Sequence, residues 1–416
     1  MTLKRVMIAL TLPLALAATT VSAASAWKPD VYYAAGTVVT YSGADYVALV
    51  NQVDYTGTGW TPLTTSLWTP ASGSTTPPPT TTPPSNPTPP TTPPTTPTNP
   101  TPPSNPLPPP SGFLFSPYKD ITISMNWNTN VISSSVTGTL QPVLNVMPTN
   151  LSALTWGFAT GECGSENWAG LPGAAVAAAN VQNFVSMGRY YILSTGGAAG
   201  SFTCSTDAGF DAFIKRYNSS SLLGVDFDIE AGQSAATIAS LIDRVKFAQR
   251  SYPKLRFSFT IATLGGNSPQ SLGPTGITVM NAIRSSGLAG YTINLMTMDY
   301  GSTTPTNCVV VGGKCDMAQS AIAAAESLHA YYGVPYNQIE VTPMIGGNDT
   351  IDETFTLSNI PTLTAYVTQK KLAGLHFWSF DRDTDCAPGY ASPICNSYDT
   401  AGRLGFTTRF LSSLGR

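Results

Sequence analysis

The stretch LLGVDFDIE, residues 222–230, places three acids inside an otherwise apolar segment. The acids are Asp226, Asp228 and Glu230, and an apolar residue stands between each two of them. Successive side chains of a strand point to opposite faces, so the three carboxyl groups share one face, about 7 Å apart at each step. Buried carboxyl groups must be protonated, paired or hydrogen-bonded. The stretch therefore predicts a strand whose carboxyl groups have unlike pKa values, which suits acid–base chemistry.

Strand-like and helix-like segments alternate on both sides of this stretch. The strand candidates are residues 120–126, 153–159, 190–197, 222–230, 256–263, 291–300, 339–347 and 374–381. Alternating β and α units are typical of a parallel sheet. Eight such units in about 300 residues predict an α/β fold, a closed (β/α)₈ TIM barrel.

The fourth position among eight strands decides where the acids point. A closed barrel has no edge strand, so we expect the carboxyl groups to face its interior. Active sites of such barrels lie at the carboxyl ends of the strands. Glu230 is therefore predicted at the mouth, Asp228 beneath it and Asp226 deepest. An edge strand with its acids in water and a calcium site are the alternatives; a calcium loop needs a central glycine and turn geometry.

Composition excludes several classes of partner. The 416 residues carry a net charge of -3, from 20 basic and 23 acidic side chains, so no basic field is available for nucleic acid or a membrane. Charged residues make up 10% of the chain and aromatic residues another 10%, a balance that suits neutral ligands such as sugars. Only two histidines and no C-x-x-C motif are present, so we expect no metal and no cofactor. We expect a monomer.

The chain divides into four segments by composition. Residues 1–23 resemble a cleavable export signal, with Lys4 and Arg5 before an apolar run that is short for a membrane span, so we expect a secreted, extracellular protein. Residues 24–71 form a small β-rich module, with a hairpin predicted at Ser42-Gly43. Residues 72–112 are a Pro/Thr-rich linker, and residues 113–416 are the barrel domain.

The six cysteines are an even number in a chain with an export signal, which favours disulfides. Sequence alone allows 15 connectivities. Short spacings favour two pairs, which leaves a third: Cys308–Cys315, Cys386–Cys395 and Cys163–Cys204.

Four motifs in the barrel domain resemble family 18 glycoside hydrolases, the chitinases. They are GVDFDIE (224–230), LSTGG (193–197), INLMTMDYG (293–301) and Trp378 in the eighth strand. The resemblance implies retaining, substrate-assisted hydrolysis of β-1,4-linked N-acetylglucosamine, an exception to the two-carboxylate scheme. It implies that Glu230 is the general acid and base, that Asp228 holds the N-acetyl N–H, and that Asp226 shares a proton with Asp228.

The sixth and eighth strands supply the predicted sugar contacts. Asp299 matches the family aspartate that contacts the sugar, and Met298 replaces the family tyrosine before it, so Tyr300 is the candidate for the missing hydrogen bond. The ring of Trp378 is predicted to form the floor of the sugar-binding cleft. The alternative is that this ring packs in the core. The full set is Asp299, Tyr300, Met298, Met296, Asn294 and Trp378.

The small module resembles the chitin-binding modules of carbohydrate-binding families 5 and 12. On that resemblance, ring stacking on the polysaccharide falls to Trp60, Tyr55 and Tyr33.

These features together predict a secreted endochitinase. About 25 residues separate the seventh and eighth strand candidates, too few for an inserted domain, so we expect a shallow, open cleft. The partners would be chitin or chito-oligosaccharides. Two alternatives stay open: an endo-β-N-acetylglucosaminidase that acts on N-glycans, and a non-catalytic chitin-binding lectin.

Overall fold

A computed structural model gives the fold of most of the chain. It describes residues 24–28, 31–33, 36–49, 52–53, 61–64, 67–71, 112–230, 233–389, 391–398 and 400–416. The predicted export signal lies outside these residues, as does the linker except for Gly112. The chain divides into two units, 1–94 and 95–416, which are described separately.

The second unit is built on eight parallel strands, β1 to β8. The first is formed in two pieces, so that the strands are Leu114–Phe115 with Tyr118–Asp120 (β1), Ala153–Ala159 (β2), Tyr190–Gly196 (β3), Leu222–Asp228 (β4), Arg256–Ala262 (β5), Thr292–Met296 (β6), Ile339–Thr342 (β7) and Gly374–Leu375 (β8). Each strand is hydrogen-bonded to the next in chain order.

The two pieces of β1 close the sheet into a barrel. Leu114–Phe115 pairs with Gly374–Leu375 of β8, and Tyr118–Asp120 pairs with Thr155–Gly157 of β2. The first strand thus has a partner on both sides. The predicted (β/α)₈ fold is confirmed.

A helix follows each strand. The helices are Val143–Val146 (α1), Gly173–Ser186 (α2), Asp207–Tyr217 (α3), Ala235–Ser251 (α4), Pro274–Ser286 (α5), Met317–Tyr332 (α6), Asn359–Lys370 (α7) and Gly405–Ser413 (α8). Side chains cap the N-termini of several helices. The side chain of Thr206 accepts a hydrogen bond from one backbone N–H of α3, and that of Asp316 accepts hydrogen bonds from two backbone N–H groups of α6.

The first strand begins earlier than the predicted segment 120–126. That prediction is wrong because Asp120 ends the strand: its Oδ1 accepts hydrogen bonds from the N–H and hydroxyl of Thr122 and folds the chain into a turn. The apolar residues Ile121 and Ile123 beyond it are buried in that turn rather than in a strand.

The apolar face of β4 packs against the helices, as predicted. Val225, Phe227 and Ile229 are each at most 1% exposed. The ring of Phe227 lies 5.9 Å from that of Phe210 in α3 and 5.4 Å from that of Phe259 in β5. With this face filled, the acids on the other face must point into the barrel.

The three disulfides pair the cysteines as their spacing favours. Cys163–Cys204 joins the segments after β2 and β3, Cys308–Cys315 closes a hairpin after β6, and Cys386–Cys395 closes a loop after β8.

The N-terminal unit is a small β module. Its four-stranded sheet has the order Ser25–Ala26, Val38–Tyr41, Ala44–Ala48 and Trp68–Pro70, and Tyr32–Tyr33 pairs separately with Gln52–Val53. The predicted hairpin turns at Ser42 and Gly43, with φ values of 50° and 83°. Such a turn matches the twist of its two strands.

Within the described residues, no helix has the length and apolar character that a membrane span requires.

Candidate active site

The strand register brings hydroxyl side chains to the acids of β4. Asp226 lies opposite Ser194 of β3 and Ser258 of β5, and Asp228 lies opposite Gly196 and Thr260. Residues that are partners across parallel strands point to the same face. The polar side chains therefore converge inside the barrel.

Asp226 is held by four hydroxyl groups. Its Oδ1 accepts from Ser258 at 2.6 Å and from Thr260 at 2.7 Å. Its Oδ2 accepts from Ser194 at 2.6 Å and from Tyr118 at 2.9 Å. Because the residue is only 2% exposed, these bonds replace the water that its carboxyl group has lost.

This network surrounds Asp226 with hydroxyl donors. Both of its oxygens are occupied by hydroxyl donors, and among the described residues no hydrogen bond joins its carboxyl group to that of Asp228. The hydroxyl donors lie on strands β1, β3 and β5. Asp226 thus fixes the polar interior, and the proton sharing predicted between Asp226 and Asp228 stays a prediction.

Asp228 is the least satisfied of the three acids. It is 4% exposed, and its Oδ1 is buried with no hydrogen-bond partner among the described residues. Burial, followed by the charges of Glu230 and Asp226, raises the pKa of Asp228 well above its ordinary value. Asp228 thus offers an unused acceptor oxygen beneath the mouth of the barrel.

Glu230 lies two residues beyond the end of β4, which stops at Asp228 rather than at residue 230. The residue is half-buried and accepts a hydrogen bond from the backbone N–H of Ala198. Burial, with the charges of Asp299 and Asp349, raises the pKa of Glu230 to about 7. A carboxyl group that keeps its proton near neutral pH is suited to general acid catalysis.

Asp299, in the loop after β6, contributes its charge to the surroundings of Glu230. The residue is exposed overall, but its Oδ1 accepts hydrogen bonds from the N–H groups of Asp349 at 2.7 Å and Thr350 at 3.2 Å. Burial of the carboxyl group, with the charge of Asp349, raises the pKa of Asp299 to about 6. The charge of the predicted sugar contact thus bears on the predicted acid.

The other predicted contacts, on β6 and directly after it, divide into two kinds. Met296 and Met298 are half-buried. Asn294 is 1% exposed, and its amide donates to Tyr118 and Thr260, at 2.9 Å each, and accepts from Thr342 at 2.7 Å. The amide of Asn294 has no free group for a sugar, so the structure corrects its predicted role to support of the polar interior.

Tyr300 lies deeper than the other predicted sugar contacts of the loop after β6. It is 3% exposed and belongs to the hydrophobic core of the barrel domain. Its backbone N–H donates to Glu353 at 3.0 Å, which anchors the loop after β6. Core packing therefore decides the position of this ring. Its hydroxyl group is buried with no hydrogen-bond partner among the described residues, and the hydrogen bond predicted for it stays a prediction.

An aromatic wall borders the acids. The half-buried ring of Trp378 stacks on Phe158, with 5.6 Å between centroids, and lies 6.3 Å from the ring of Tyr118. Phe158 also stacks on Tyr118 at 6.2 Å. Aromatic faces beside hydrogen-bonding groups are a typical sugar-binding surface, so the position of Trp378 fits its predicted role.

Two glycines in the LSTGG motif permit this close packing. A Cβ on Gly196 would lie 2.1 Å from the carbonyl oxygen of Asp228, and a Cβ on Gly197 would lie 3.0 Å from the ring of Phe158. Both glycines have positive φ, at 92° and 79°. Any side chain here would push β3 away from Asp228 or displace the aromatic wall.

The aromatic predictions for the small module have mixed outcomes. Trp60 and Tyr55 lie outside the described residues. Tyr33 is 6% exposed, its ring packs edge-on against Trp68 at 5.1 Å, and its hydroxyl donates to the carbonyl of Lys28. Tyr33 is a core residue of the module, and its predicted role in ring stacking on a sugar is wrong.

Comparison with known proteins supports both units. Residues 26–70 match the model of carbohydrate-binding module family 5/12. The barrel superimposes on the catalytic domain of a hyperthermophilic chitinase from Pyrococcus furiosus with a TM-score of 0.58 and 26% identity, over 74% of this chain and 96% of that one. The chain combines a chitinase-like barrel with a family 5/12 module. The resemblance of the barrel to chitinases is confirmed, and so is that of the small module to families 5 and 12.

Two curated relatives match about half of this chain. Endochitinase 11 of Metarhizium anisopliae is 29% identical over 217 residues, and a probable bifunctional chitinase/lysozyme of Escherichia coli K12 is 29% identical over 216 residues. These matches cover 47% and 46% of this chain, but only 40% and 23% of the relatives. The chain thus spans less than half the length of the curated relatives that it matches.

One group of side chains has the spacing of a metal site but not its chemistry. The potential ligand atoms of three side chains lie within 4.8 Å of one another; the residues are Glu162, Cys163 and Cys204. The two cysteines form a disulfide and cannot act as thiolate ligands, and Glu162 already accepts from Thr203 and Ser205.

Several site residues were missed by the sequence analysis. Ser258 and Thr260 could have been found, since they alternate with phenylalanines on the strand next to the acids. Phe158 could not, because the pairing of β2 with β3 shifts between Trp156 and Ala159, and such an irregularity re-aims a side chain against simple alternation.

Proposed function

We propose that this protein is a secreted endochitinase that hydrolyses β-1,4-linked N-acetylglucosamine with retention of configuration. The observation that carries the proposal is the pair at the mouth of the barrel. Glu230 has a pKa of about 7, and beneath it Asp228 offers a buried oxygen without a partner among the described residues. The similarity of the barrel to a chitinase catalytic domain supports the substrate class.

In the first step, Glu230 donates its proton to the glycosidic oxygen and the bond to the leaving sugar breaks. The carbonyl oxygen of the substrate's own N-acetyl group attacks the anomeric carbon and forms a cyclic oxazolinium ion. The unpartnered oxygen of Asp228 accepts the N-acetyl N–H and so orients the attacking group. A sugar ring packed on Trp378 would hold the N-acetyl group in place.

In the second step, Glu230 acts as a base. Its carboxylate takes a proton from water, the water oxygen attacks the anomeric carbon, and the oxazolinium ring opens to restore the N-acetyl group. Glu230 regains the proton that it gave up, so the enzyme returns to its starting state. Two displacements at one carbon retain the configuration.

The shape of the barrel mouth supports endo-type cleavage. The segment between β7 and β8 holds a short hairpin, Gly346–Gly347 with Thr354–Phe355, and helix α7. No inserted domain occurs in this segment, all of which the structure describes. An open cleft can bind the interior of a polysaccharide chain.

Secretion and chitin targeting complete the proposal. The first 23 residues have the features of an export signal, and three disulfides are typical of exported proteins. The family 5/12 module would hold the barrel domain at the polysaccharide surface.

Hydrolysis of chitohexaose tests this function. Chromatography should show several internal cleavage products, and NMR of the first products should show the β-anomer before mutarotation. An absence of cleavage would refute the chitinase and favour a lectin. Cleavage of N-glycans in place of chitohexaose would support an endo-β-N-acetylglucosaminidase. A covalent sugar ester on Asp228 would overturn substrate assistance but leave a glycosidase.

A further inference from the structure

The loops after β6 and β7 are joined by hydrogen bonds that run in both directions, and Asp299 takes part in each direction. The backbone N–H of Asp299 donates to Oδ1 of Asn348 at 3.3 Å. In return, Oδ1 of Asp299 accepts from the backbone N–H groups of Asp349 at 2.7 Å and Thr350 at 3.2 Å. The backbone and the side chain of Asp299 are therefore both tied to the loop after β7.

The side chain of Asn348 has a single orientation in the loop after β7. It is fully buried, and its Nδ2 donates to the carbonyls of Met344 at 3.1 Å and Gly346 at 3.2 Å. The backbone N–H of the same residue donates to the carbonyl of Glu353 at 3.0 Å. Because the amide nitrogen faces two carbonyls, the amide oxygen is the group that is left to accept from Asp299.

Glu353 binds the next residue of the loop after β6. Its side chain is fully buried, and Oε2 accepts from the backbone N–H of Tyr300 at 3.0 Å. Asn348 and Glu353 thus bind two successive N–H groups, those of Asp299 and Tyr300. These are the N–H groups of the peptide bonds on either side of the Asp299 Cα atom.

The backbone of Asp299 needs this support because its conformation is unfavourable. Its φ is 49°, in the left-handed region that residues other than glycine seldom occupy. Such a conformation persists where the surrounding structure over-determines it. Here the buried acceptors of Asn348 and Glu353 fix the peptide groups before and after the residue.

One carboxylate oxygen of Asp299 is available to a ligand. The residue is exposed, and among the described residues only its Oδ1 accepts hydrogen bonds. The two loops follow the carboxyl ends of neighbouring strands, which is the end of a barrel where substrates bind. Since the backbone and Oδ1 are both fixed, Oδ2 is presented at the mouth of the barrel in one orientation.

We propose that Asn348 and Glu353 are positioning residues for substrate binding: they hold Asp299 in its left-handed conformation, so that Oδ2 accepts a hydrogen bond from a hydroxyl group of the bound sugar. This role rests on the proposed function, in which the ligand is a chain of N-acetylglucosamine. Both side chains are fully buried and do not touch the sugar, so their effect on binding passes through Asp299.

A double-mutant cycle in the full chain tests whether the effect passes through Asp299. Asp299→Ala should raise KM for chitohexaose by about tenfold or more, because a hydrogen bond to a charged group is lost. Asn348→Ala should raise KM by about fivefold, with kcat little changed, and should add nothing once Asp299 is already alanine. An unchanged KM in Asn348→Ala, or an equal further rise in the double variant, would overturn the role.

Asn180→Ala is the matched control, because Asn180 has the same hydrogen-bonding pattern in another part of the barrel domain. It is 2% exposed, its Oδ1 accepts from the N–H of Ile132, and its Nδ2 donates to the carbonyls of Asn130 and Val176. Its loss should lower the melting temperature as Asn348→Ala does, but leave KM unchanged. A rise in KM equal to that of Asn348→Ala would mean that both residues act only through stability, against the proposal.

Two variants of Glu353 keep the test decisive if Asn348→Ala does not fold. Glutamine keeps an oxygen that can accept from the N–H of Tyr300, whereas methionine is of similar length and has none. Glu353→Gln should keep the wild-type KM, and Glu353→Met should raise it by about fivefold. Equal KM values in these two variants would contradict the role of Glu353. A wild type that leaves chitohexaose intact would instead refute the proposed function itself.

Discussion

Tyr118 donates a hydrogen bond to Asp226 across the interior of the barrel, from the first strand to the fourth, over 2.9 Å. The same hydroxyl accepts from the amide of Asn294 on β6. The ring of Tyr118 meanwhile touches the aromatic wall formed by Phe158 and Trp378. One side chain therefore links the polar interior beneath the acids to the surface on which a sugar would lie.

Tyr118→Phe should lower kcat on chitohexaose by about tenfold or more and change KM little. The substitution keeps the ring but removes a hydrogen bond to a carboxyl group, worth about 1.5–3 kcal/mol. Steady-state kinetics with a thermal melt would measure it. The control is Tyr252→Phe, which removes a tyrosine–aspartate bond to Asp211 away from the strands. Equal kcat values in wild type and Tyr118→Phe would contradict this prediction.

Trp378→Ala should lower kcat/KM on chitohexaose by about tenfold or more, because the substrate loses its stacking surface and Phe158 loses its neighbour. Trp127→Ala is a matched control, since that ring is 49% exposed in the turn after β1 and packs on no residue of the aromatic wall. If both variants behaved alike, Trp378 would have no special role in binding.

Loss of Cys163–Cys204 should destabilise the barrel domain more than loss of either other disulfide. It joins residues 41 apart, whereas the others join residues 7 and 9 apart. Chain entropy predicts a cost of about 4 kcal/mol for the long loop and about 2.5 kcal/mol for the short ones. Double Cys→Ala variants, compared by urea unfolding, would give the order. A larger loss for Cys308–Cys315 would be evidence against this account.

A protein shortened to residues 113–416 should hydrolyse chitohexaose as the full chain does and bind chitin beads less. The barrel domain has its own core, and the module has a separate one around Tyr33, Val39, Ala48 and Trp68. Tethering to a surface raises effective concentration there, which soluble substrates do not need. Trp60→Ala in the full chain should reproduce the loss of bead binding. Equal bead binding by full-length and shortened protein would refute targeting by the module.

The barrel and its acids could be predicted because their signals are periodic. Alternation in 222–230 placed Asp226 and Asp228 inside and Phe227 outside, and the structure agrees. Strands β2 to β5 were predicted to within two residues at each end. Long apolar strands between amphipathic helices leave few other ways to bury the chain.

The errors came from contacts that no local pattern contains. Asp120 ended the first strand through its own side chain, against an apolar alternation that continues past it. Tyr300 and Asn294 lie in the motif of the sixth strand. The ring of Tyr300 packs in the hydrophobic core, and the amide of Asn294 is hydrogen-bonded in the polar interior of the barrel. Asp349 lies in the loop after β7. Its position depends on hydrogen bonds that join this loop to Asp299, about 50 residues earlier in the sequence.

The most direct test of the account is the turnover of chitohexaose by Glu230→Gln. Glutamine keeps the shape of the side chain at the mouth of the barrel and cannot donate the proton, so kcat should fall by about 10²–10⁴-fold. Calorimetry on the same variant should show binding of the oligosaccharide near the wild-type affinity. A kcat above roughly a tenth of the wild-type value, given the size of that expected loss, would show that Glu230 is not the general acid.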